Sequence, residues 1–201
     1  MNKYDLLEYV GIPKKIRMVL AEADLKETTS QNIYYTGPVG SGKSVKAASI
    51  IANILFEEIN TDFQIELLDP KSEKFDSHYI PFFKYKYQFI NVPRLLQNIK
   101  KTFNQKDKAN EYDLIDNCCQ VDLLVLDDLG AELATDWAYQ TLYLIVSERY
   151  DEMKQTIFTS NLTPPELGRH FIDERLVSRM IEMCGPEGII KIPGKNYRKF
   201  A

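Results

Sequence analysis

The spacing of apolar residues changes several times along this chain, and the order of the changes predicts the fold class. Short apolar or β-branched runs, which are typical of strands, occupy residues 32–36, 63–68, 82–90, 121–126 and 156–159. Apolar residues three and four apart, which are typical of helices, occupy residues 44–59, 95–103, 137–150 and 174–183. Because strands alternate with helices, the pattern predicts an α/β domain of three layers around a mainly parallel sheet.

Three regions outside this alternation have weaker patterns. Before residue 31, apolar positions at helical spacing are interrupted by Gly11, Ile12 and Pro13, which predicts two short helices with a turn between them. We therefore expect residues 1–30 to form a short helical N-terminal extension and residues 31–201 to form the main domain. The polar stretch 104–111 is expected to be a loop. Lysines alternate with tyrosines at 84–87, which is typical either of an edge strand or of a surface where aromatic rings stack on bases.

A glycine-rich loop carries the clearest chemical signal. Residues 37–44 match the pattern GxxxxGK[ST], with a predicted strand before them and a predicted helix after them. In such a loop, backbone N–H groups and the helix N-terminus bind phosphates, Lys43 reaches the β and γ phosphates, and the Ser44 hydroxyl ligates Mg²⁺. The residues expected to bind ATP or ADP are Gly37, Pro38, Val39, Gly40, Ser41, Gly42, Lys43, Ser44 and Val45.

Two acidic residues directly follow the buried strand predicted at 121–126. A phosphate-binding loop needs a second acid near the metal, and we expect this acid at the end of a strand beside the strand that precedes the loop. Asp127 is the predicted metal residue, together with Ser44. Asp128 is placed to deprotonate the attacking water as a general base. The alternative is that the pair caps a turn.

Polar residues near the last predicted strand and helix have two interpretations each. Asn161 follows the strand 156–159 and either contacts the γ-phosphate and the attacking water or begins a turn. Arg175 and Arg179 are four residues apart and share one helix face. Either one of them is an arginine finger that reaches a neighbouring subunit's nucleotide, or both belong to a solvated surface.

Composition restricts the cell compartment and the kinds of partner. The net charge is −4, which argues against a protein covered with nucleic acid but leaves a local basic surface possible. The three cysteines lack metal-ligand spacing and are interpreted as small apolar core residues. His78 and His170 have no partner at catalytic spacing. Since no apolar run is long enough to cross a bilayer, we expect a cytoplasmic protein without a membrane partner.

Four segments in a fixed order resemble a known family. The segments TGPVGSGKS, DLLVLDDLGAE, TIFTSNLTPPEL and DERLVSRM are similar to those of the DnaC/DnaI replicative helicase loaders and the IstB transposition ATPases. The resemblance covers about residues 33–198. It implies an AAA+ P-loop NTPase of the ASCE type without a C-terminal helical lid domain. It also implies that Asn161 is the sensor 1 residue and that Arg179 is the trans-acting finger, with Arg175 beside it. Many relatives in this superfamily carry Glu where this chain has Asp128.

The resemblance also implies an activity and partners. It implies a slow ATPase, stimulated by assembly into a homo-oligomer, that loads a replicative helicase or contacts a host loader. The strand and helix within 88–103 are implied to touch single-stranded DNA, and the basic residues of that helix are Arg94, Lys100 and Lys101. A compact phage or mobile-element version is suggested. Two alternatives stay open: an IstB-like transposition helper, and an adaptor or inhibitor that binds a host loader or helicase.

Overall fold

A computed structural model describes residues 6–22, 29–58, 86–103, 109–171 and 173–194 of the 201-residue chain. The strand expected at 63–68, the first half of the 84–87 alternation, His78 and the polar stretch 104–108 lie outside these ranges. Within them, no helix combines the length and the apolar character needed to cross a membrane.

Five parallel strands form the central sheet, in the spatial order β2-β3-β4-β1-β5. They are β1 (Ile33–Thr36), β2 (Tyr87–Asn91), β3 (Leu123–Leu129), β4 (Gln155–Ser160) and β5 (Ile189–Lys191). All strands therefore end at the same edge of the sheet. The predicted α/β class with a mainly parallel sheet is confirmed.

Seven α-helices and one short 3-10 helix occur in the described ranges. The 3-10 helix is Leu6–Glu8, and the α-helices are α1 (Lys14–Glu22), α2 (Lys43–Glu58), α3 (Val92–Thr102), α4 (Ala109–Gln120), α5 (Asp136–Asp151), α6 (Pro164–Phe171) and α7 (Arg175–Gly188). Helices cover both faces of the sheet, and each face has its own apolar cluster. This explains why the first four residues of β3, at 123–126, are all apolar.

The N-terminal residues pack on the same cluster as α2. Leu7, Val10 and Leu20 are buried there, and Val10 O accepts a hydrogen bond of 2.7 Å from Phe89 N on β2. β2 is one of the two edge strands of the described sheet, as the lysine and tyrosine alternation suggested for this part of the chain. The extension thus covers part of the edge that β2 would otherwise expose.

One expectation about strand order is wrong. β3, which carries the two acidic residues, does not lie beside β1, because β4 pairs with both of them. Ile157 of β4 is in register with Ile33 on one side and Val125 on the other. Apolar periodicity identifies strands but not their neighbours, so it could not reveal the intervening strand. As a result, the end of β4 separates the P-loop from the acids.

Several element boundaries also differ from the sequence-based expectation. Residues 109–111, expected to be a loop, begin α4, and α6 forms where only a turn was expected. Thr163 Oγ1 donates a hydrogen bond of 2.7 Å to Glu166, and Leu167 N donates to Thr163 O, so this polar segment starts a helix. The last helix was expected to end at 183 but continues past a kink at Gly185 to Gly188.

A fully buried arginine fastens α5 to the elements around it. The Arg149 guanidinium donates hydrogen bonds to Cys118 O at 2.9 Å, Val121 O at 2.7 Å and Gln155 O at 2.6 Å, and Nε donates to Thr156 Oγ1 at 2.9 Å. Burial lowers the pKa of Arg149 to about 10. All three cysteines are buried and unpaired, as expected for small core residues.

Candidate nucleotide-binding site

The glycine-rich loop follows β1 and leads directly into α2. Gly37, Gly40 and Gly42 all have positive φ angles, which glycine adopts without steric cost. At Gly37 a side chain is also excluded by contact, because a Cβ would collide with the carbonyl oxygen of Ile192. Since α2 begins at Lys43, the positive end of the helix dipole faces the loop. The loop therefore has the conformation that phosphate binding requires.

The other predicted loop residues divide into exposed and buried positions. Pro38 and Val39 are exposed at the rim, whereas Ser41 is buried, and its Oγ has no hydrogen-bond partner in the described ranges. Ser44 and Val45 are half-buried in the first turn of α2. Pro38 and Val39 thus form the exposed side of the loop, and Ser44 and Val45 form its junction with α2.

The chain after β5 lies against this loop. Ile192 N donates a hydrogen bond of 2.7 Å to Thr36 O at the end of β1. A Cβ built on Gly194 would be 2.7 Å from Pro38 Cγ, so the backbone at Gly194 lies close to the proline ring. Two consecutive loop residues, Gly37 and Pro38, therefore contact the segment that leaves β5.

Lys43 is held at the centre of the site. Its side chain is buried, with 5% of the residue exposed. Lys43 Nζ donates hydrogen bonds to Gly37 O at 2.8 Å, Pro38 O at 2.9 Å and Asn161 Oδ1 at 2.9 Å. The ammonium group thus joins the P-loop to the residue that follows β4, and the two sequence-predicted residues are in direct contact.

Asp127 faces Ser44 across the site. Thr159 Oγ1 donates a hydrogen bond of 2.7 Å to Asp127 Oδ1, and the Ser44 hydroxyl lies near enough to this carboxylate to lower its pKa. Burial raises the pKa of Asp127, and the Ser44 and Thr159 hydroxyls act in the opposite direction. A buried carboxylate beside a hydroxyl suits Mg²⁺, which prefers oxygen ligands and takes the rest of its shell from phosphates and water. No group of three or more His, Cys, Asp or Glu suited to a metal occurs among the described residues.

Asp128 has an unusual backbone conformation. Its φ angle is 60°, and it lies in a register shift of β3 between Leu126 and Leu129. Asp128 N donates to Thr159 Oγ1 at 3.0 Å, while Asn91 Nδ2 donates to Asp128 Oδ2 at 3.2 Å. The shift turns the second carboxylate away from its neighbour Asp127 and toward the end of β2.

The P-loop, the buried lysine and the two acids are the groups that bind a nucleoside triphosphate in P-loop proteins, and comparison with protein families agrees. The model of the family described as IstB-like ATP binding protein matches residues 84–200, which is more than half of the chain. The chain belongs to this IstB-like family. The match begins after the P-loop, so the geometry of the loop adds independent support for nucleotide binding by this IstB-like protein.

Individual relatives agree with the family. The replicative helicase loader DnaC of Buchnera aphidicola subsp. Baizongia pistaciae is 32% identical over 91 residues, which are 45% of this chain and 37% of the relative. The phage-like element PBSX protein XkdC of Bacillus subtilis is 33% identical over 100 residues, which are 45% of this chain and 36% of XkdC. The chain thus spans less than two fifths of the length of these relatives.

The fold of the IstB-like chain is also that of a solved helicase loader. A crystal structure of DnaI superposes with a TM-score of 0.58 at 20% identity, covering 98% of this chain and 93% of that one. This likeness confirms the AAA+ fold that the sequence segments implied.

The two predicted arginines do not contact the P-loop of their own chain in the described ranges. Both lie on α7 and face α5. Arg175 pairs with Asp173, and Arg179 lies over the rings of Tyr143 and Tyr150.

The predicted DNA contacts lie on α3, on the far side of the acids from the P-loop strand. Arg94, Lys100 and Lys101 are all exposed. Lys100 Nζ is 5.0 Å from the centroid of the Trp137 ring, and Phe103 makes an edge contact with the same ring at 5.5 Å. Sequence reasoning named the lysines but missed the aromatic residues beside them.

Two further residues of the nucleotide site were missed. Thr159 links both acids, and Asn91 contacts Asp128. Each lies at or near the carboxyl end of a parallel strand, where ligands bind in open α/β sheets. That position was the signal available for Thr159. The signal available for Asn91 was its position two residues before Pro93, which is typical of a helix start. In the structure, its side chain accepts a hydrogen bond from Arg94 N and caps α3.

Proposed function

We propose that this IstB-like protein hydrolyses ATP and acts as a helicase loader, with nucleotide bound between copies of the chain. Lys43 would bind the β and γ phosphates, and Ser44 and Asp127 would hold Mg²⁺. The bound metal neutralises charge on the phosphates. Asp128 would accept a proton from the attacking water, and Asn161 would orient that water. The arginines of α7 would act on the nucleotide of a neighbouring copy.

One observation carries this proposal. Lys43 Nζ lies 2.9 Å from Asn161 Oδ1, while Asp127 accepts a hydrogen bond from Thr159 and its pKa is lowered by the nearby Ser44 hydroxyl. Three segments far apart in the sequence thus converge on one small volume at the carboxyl edge of the sheet. A turn-capping role for the two acids would not require contacts with both α2 and β4. The convergence therefore favours a catalytic role over the alternatives in which the two acids cap a turn and Asn161 begins one.

Nucleotide binding is tested by removing the lysine. Lys43→Ala should lose most ATP affinity, because the charge-assisted bonds to the phosphates disappear. Calorimetric titration with a non-hydrolysable analogue measures this, and Lys15→Ala, an exposed lysine on α1, is the matched control. Equal affinity in Lys43→Ala and wild type would contradict the assignment.

The helicase partner is tested by capture with defined variants. Tagged wild type and Lys43→Ala would be incubated with lysate of the source cell, with and without ATP, and bound proteins identified by mass spectrometry. We expect the replicative helicase or its loader with wild type and ATP, and a much weaker signal with Lys43→Ala. Recovery of neither protein would contradict the proposed loading function but not nucleotide binding.

We also propose that α3 and the start of α5 bind single-stranded DNA. Lys100 is drawn over the face of Trp137, and the exposed ring of Phe103 lies beside it. Aromatic rings that stack on bases and cations that neutralise phosphates are the usual combination in single-strand binding. An ordinary solvated helix face would not need this grouping.

A transposition helper is the second candidate, and the family match favours it. The family to which the chain belongs is described as IstB-like ATP binding protein, and the IstB proteins are the transposition ATPases that the sequence segments resemble. Fluorescence anisotropy with single-stranded and duplex oligonucleotides of one sequence separates the candidates. Preference for the single strand supports the loader, whereas preference for the duplex together with stimulation of a transposase supports the helper.

A further inference from the structure

The two arginines of α7 both lie over the Tyr143 ring, Arg175 at 5.6 Å and Arg179 at 4.9 Å from its centroid, but their other partners differ. Arg175 is bound edge-on by Asp173, with Nε donating to both carboxylate oxygens at 3.1 and 3.2 Å and Nη2 donating to Oδ2 at 2.7 Å. These bonds occupy the N–H groups with which a guanidinium grips phosphate. Arg175 would therefore have to break an ion pair before it could reach a nucleotide.

Arg179 is held by ring faces instead. Its guanidinium carbon is 4.9 Å from the centroid of the Tyr143 ring and 5.5 Å from that of the Tyr150 ring. In the part of the chain that the structure describes, Arg179 forms no ion pair. Contact through the ring face leaves the N–H groups at the guanidinium edge able to bind an anion.

The rings are themselves fixed by neighbouring residues. Tyr143 stacks on Tyr139 with centroids 5.8 Å apart, and Tyr139 packs against Phe171. The Tyr150 hydroxyl donates a hydrogen bond of 2.6 Å to Glu182, one turn beyond Arg179 on α7. The surface that receives the guanidinium is thus held from both α5 and α7.

We propose that Tyr143, supported by Tyr150, is a positioning residue that holds Arg179 ready to engage the nucleotide of a neighbouring copy. This inference rests on the proposed function. It assigns the trans-acting role to Arg179 and leaves Arg175 as part of an intramolecular ion pair. A long side chain loses much rotamer freedom when it is fixed, and the rings remove part of that cost before the copies meet.

The test uses mixtures of two inactive variants. Arg179→Ala copies keep an intact P-loop and serve as acceptors, while Lys43→Ala copies keep the finger and serve as donors. Their mixture should hydrolyse ATP at the shared interfaces. Adding Tyr143→Leu to the donor should lower the rate at saturating ATP by roughly fivefold to thirtyfold. Tyr143→Phe in the donor should rescue the rate, since the ring and not the hydroxyl holds Arg179.

Two controls separate positioning from damage to the fold. Adding Tyr143→Leu to the Arg179→Ala acceptor should leave the rate of the mixture unchanged, because the acceptor supplies no finger. Adding Leu144→Ala, the exposed neighbour on α5, to the donor should have no effect either.

Each other outcome overturns the inference. A Tyr143→Leu donor as active as the plain donor would show that the ring does not position Arg179. Equal loss from donor and acceptor would show a structural role. If wild type hydrolyses ATP but the reference mixture is inactive, the proposed trans arrangement fails, and the positioning role fails with it.

Discussion

Thr159 connects the two acids of the site although it carries no charge. Its hydroxyl donates to Asp127 and accepts from the backbone N–H of Asp128. One buried side chain thus fixes the orientation of the metal-binding carboxylate and the backbone of the proposed base. The positive φ of Asp128 also gives a reason for aspartate at this position. Asp and Asn enter the left-handed region more readily than Glu does.

Asp128→Asn should separate nucleotide binding from hydrolysis. Asn accepts the left-handed backbone and keeps an oxygen for the bond from Asn91, but it cannot accept a proton. We expect ATP affinity to stay near that of wild type and the hydrolysis rate to fall by about 10² or more. Steady-state phosphate release and analogue titration measure the two effects. A wild-type rate in Asp128→Asn would place the base elsewhere.

Arg149→Met should strongly destabilise the protein. The substitution leaves several buried acceptors without a donor, among them Cys118 O, Val121 O and Gln155 O. We expect the free energy of unfolding to fall by about 3 kcal/mol or more. Chemical denaturation measures it, and Arg169→Met, at an exposed arginine, should change it by only about 0.5 kcal/mol. Similar values for the two variants would contradict the role of Arg149.

At the scale of elements, the sequence predicted the helices and strands that have a clear apolar run or a clear helical periodicity. β3 was evident from its apolar run, and α2 from its periodicity after the P-loop. α4, with many polar residues, and β5, with only three residues and most of its surface outside the core, gave no such signal. The P-loop, both acids and Asn161 were predictable because each follows a recognisable strand. The intervening position of β4 was not, since strand order is set by tertiary packing.

The proposed DNA surface on α3 makes a prediction about salt dependence. Lys100→Glu with Lys101→Glu should weaken single-strand binding and lower the slope of log affinity against log salt by about 1.4, for two phosphate contacts. Lys14→Glu with Lys15→Glu on α1 is a control with the same charge change at two exposed lysines. Anisotropy of a labelled oligonucleotide at several salt concentrations measures both. An equal change in slope for the two pairs would indicate general electrostatics and not a site on α3.

At the scale of the whole molecule, the parallel sheet gathers the predicted nucleotide-binding residues at one edge. All five strands end at one edge, which gathers Lys43, Asp127, Asp128 and Asn161. Both arginines lie on α7. Their described contacts are with tyrosines of α5 and, for Arg175, with Asp173, and none of these contacts is with the P-loop. Under the proposed function, an arginine of α7 would therefore act on the nucleotide of a neighbouring copy.

Hydrolysis per copy should consequently rise with protein concentration. Dilute protein should bind ATP but turn it over slowly, because no finger reaches the γ-phosphate. At concentrations where sedimentation shows assembly, the rate per copy should rise, and in related NTPases an arginine finger is worth about 10³ to 10⁵ in rate. Arg179→Ala should abolish the rise while keeping ATP affinity. Activity per copy that is independent of concentration would contradict the multi-subunit proposal.

The contact between the P-loop and the segment after β5 has a mechanical consequence. Gly37 touches the backbone at Ile192, Gly194 approaches Pro38, and Ile192 is hydrogen-bonded to Thr36. Tension applied to the chain beyond Gly194 would therefore act on the loop through backbone contacts, with no flexible side chain to absorb it. A partner that pulls on this segment would deform the phosphate cradle, and a nucleotide that stiffens the cradle would resist the pull.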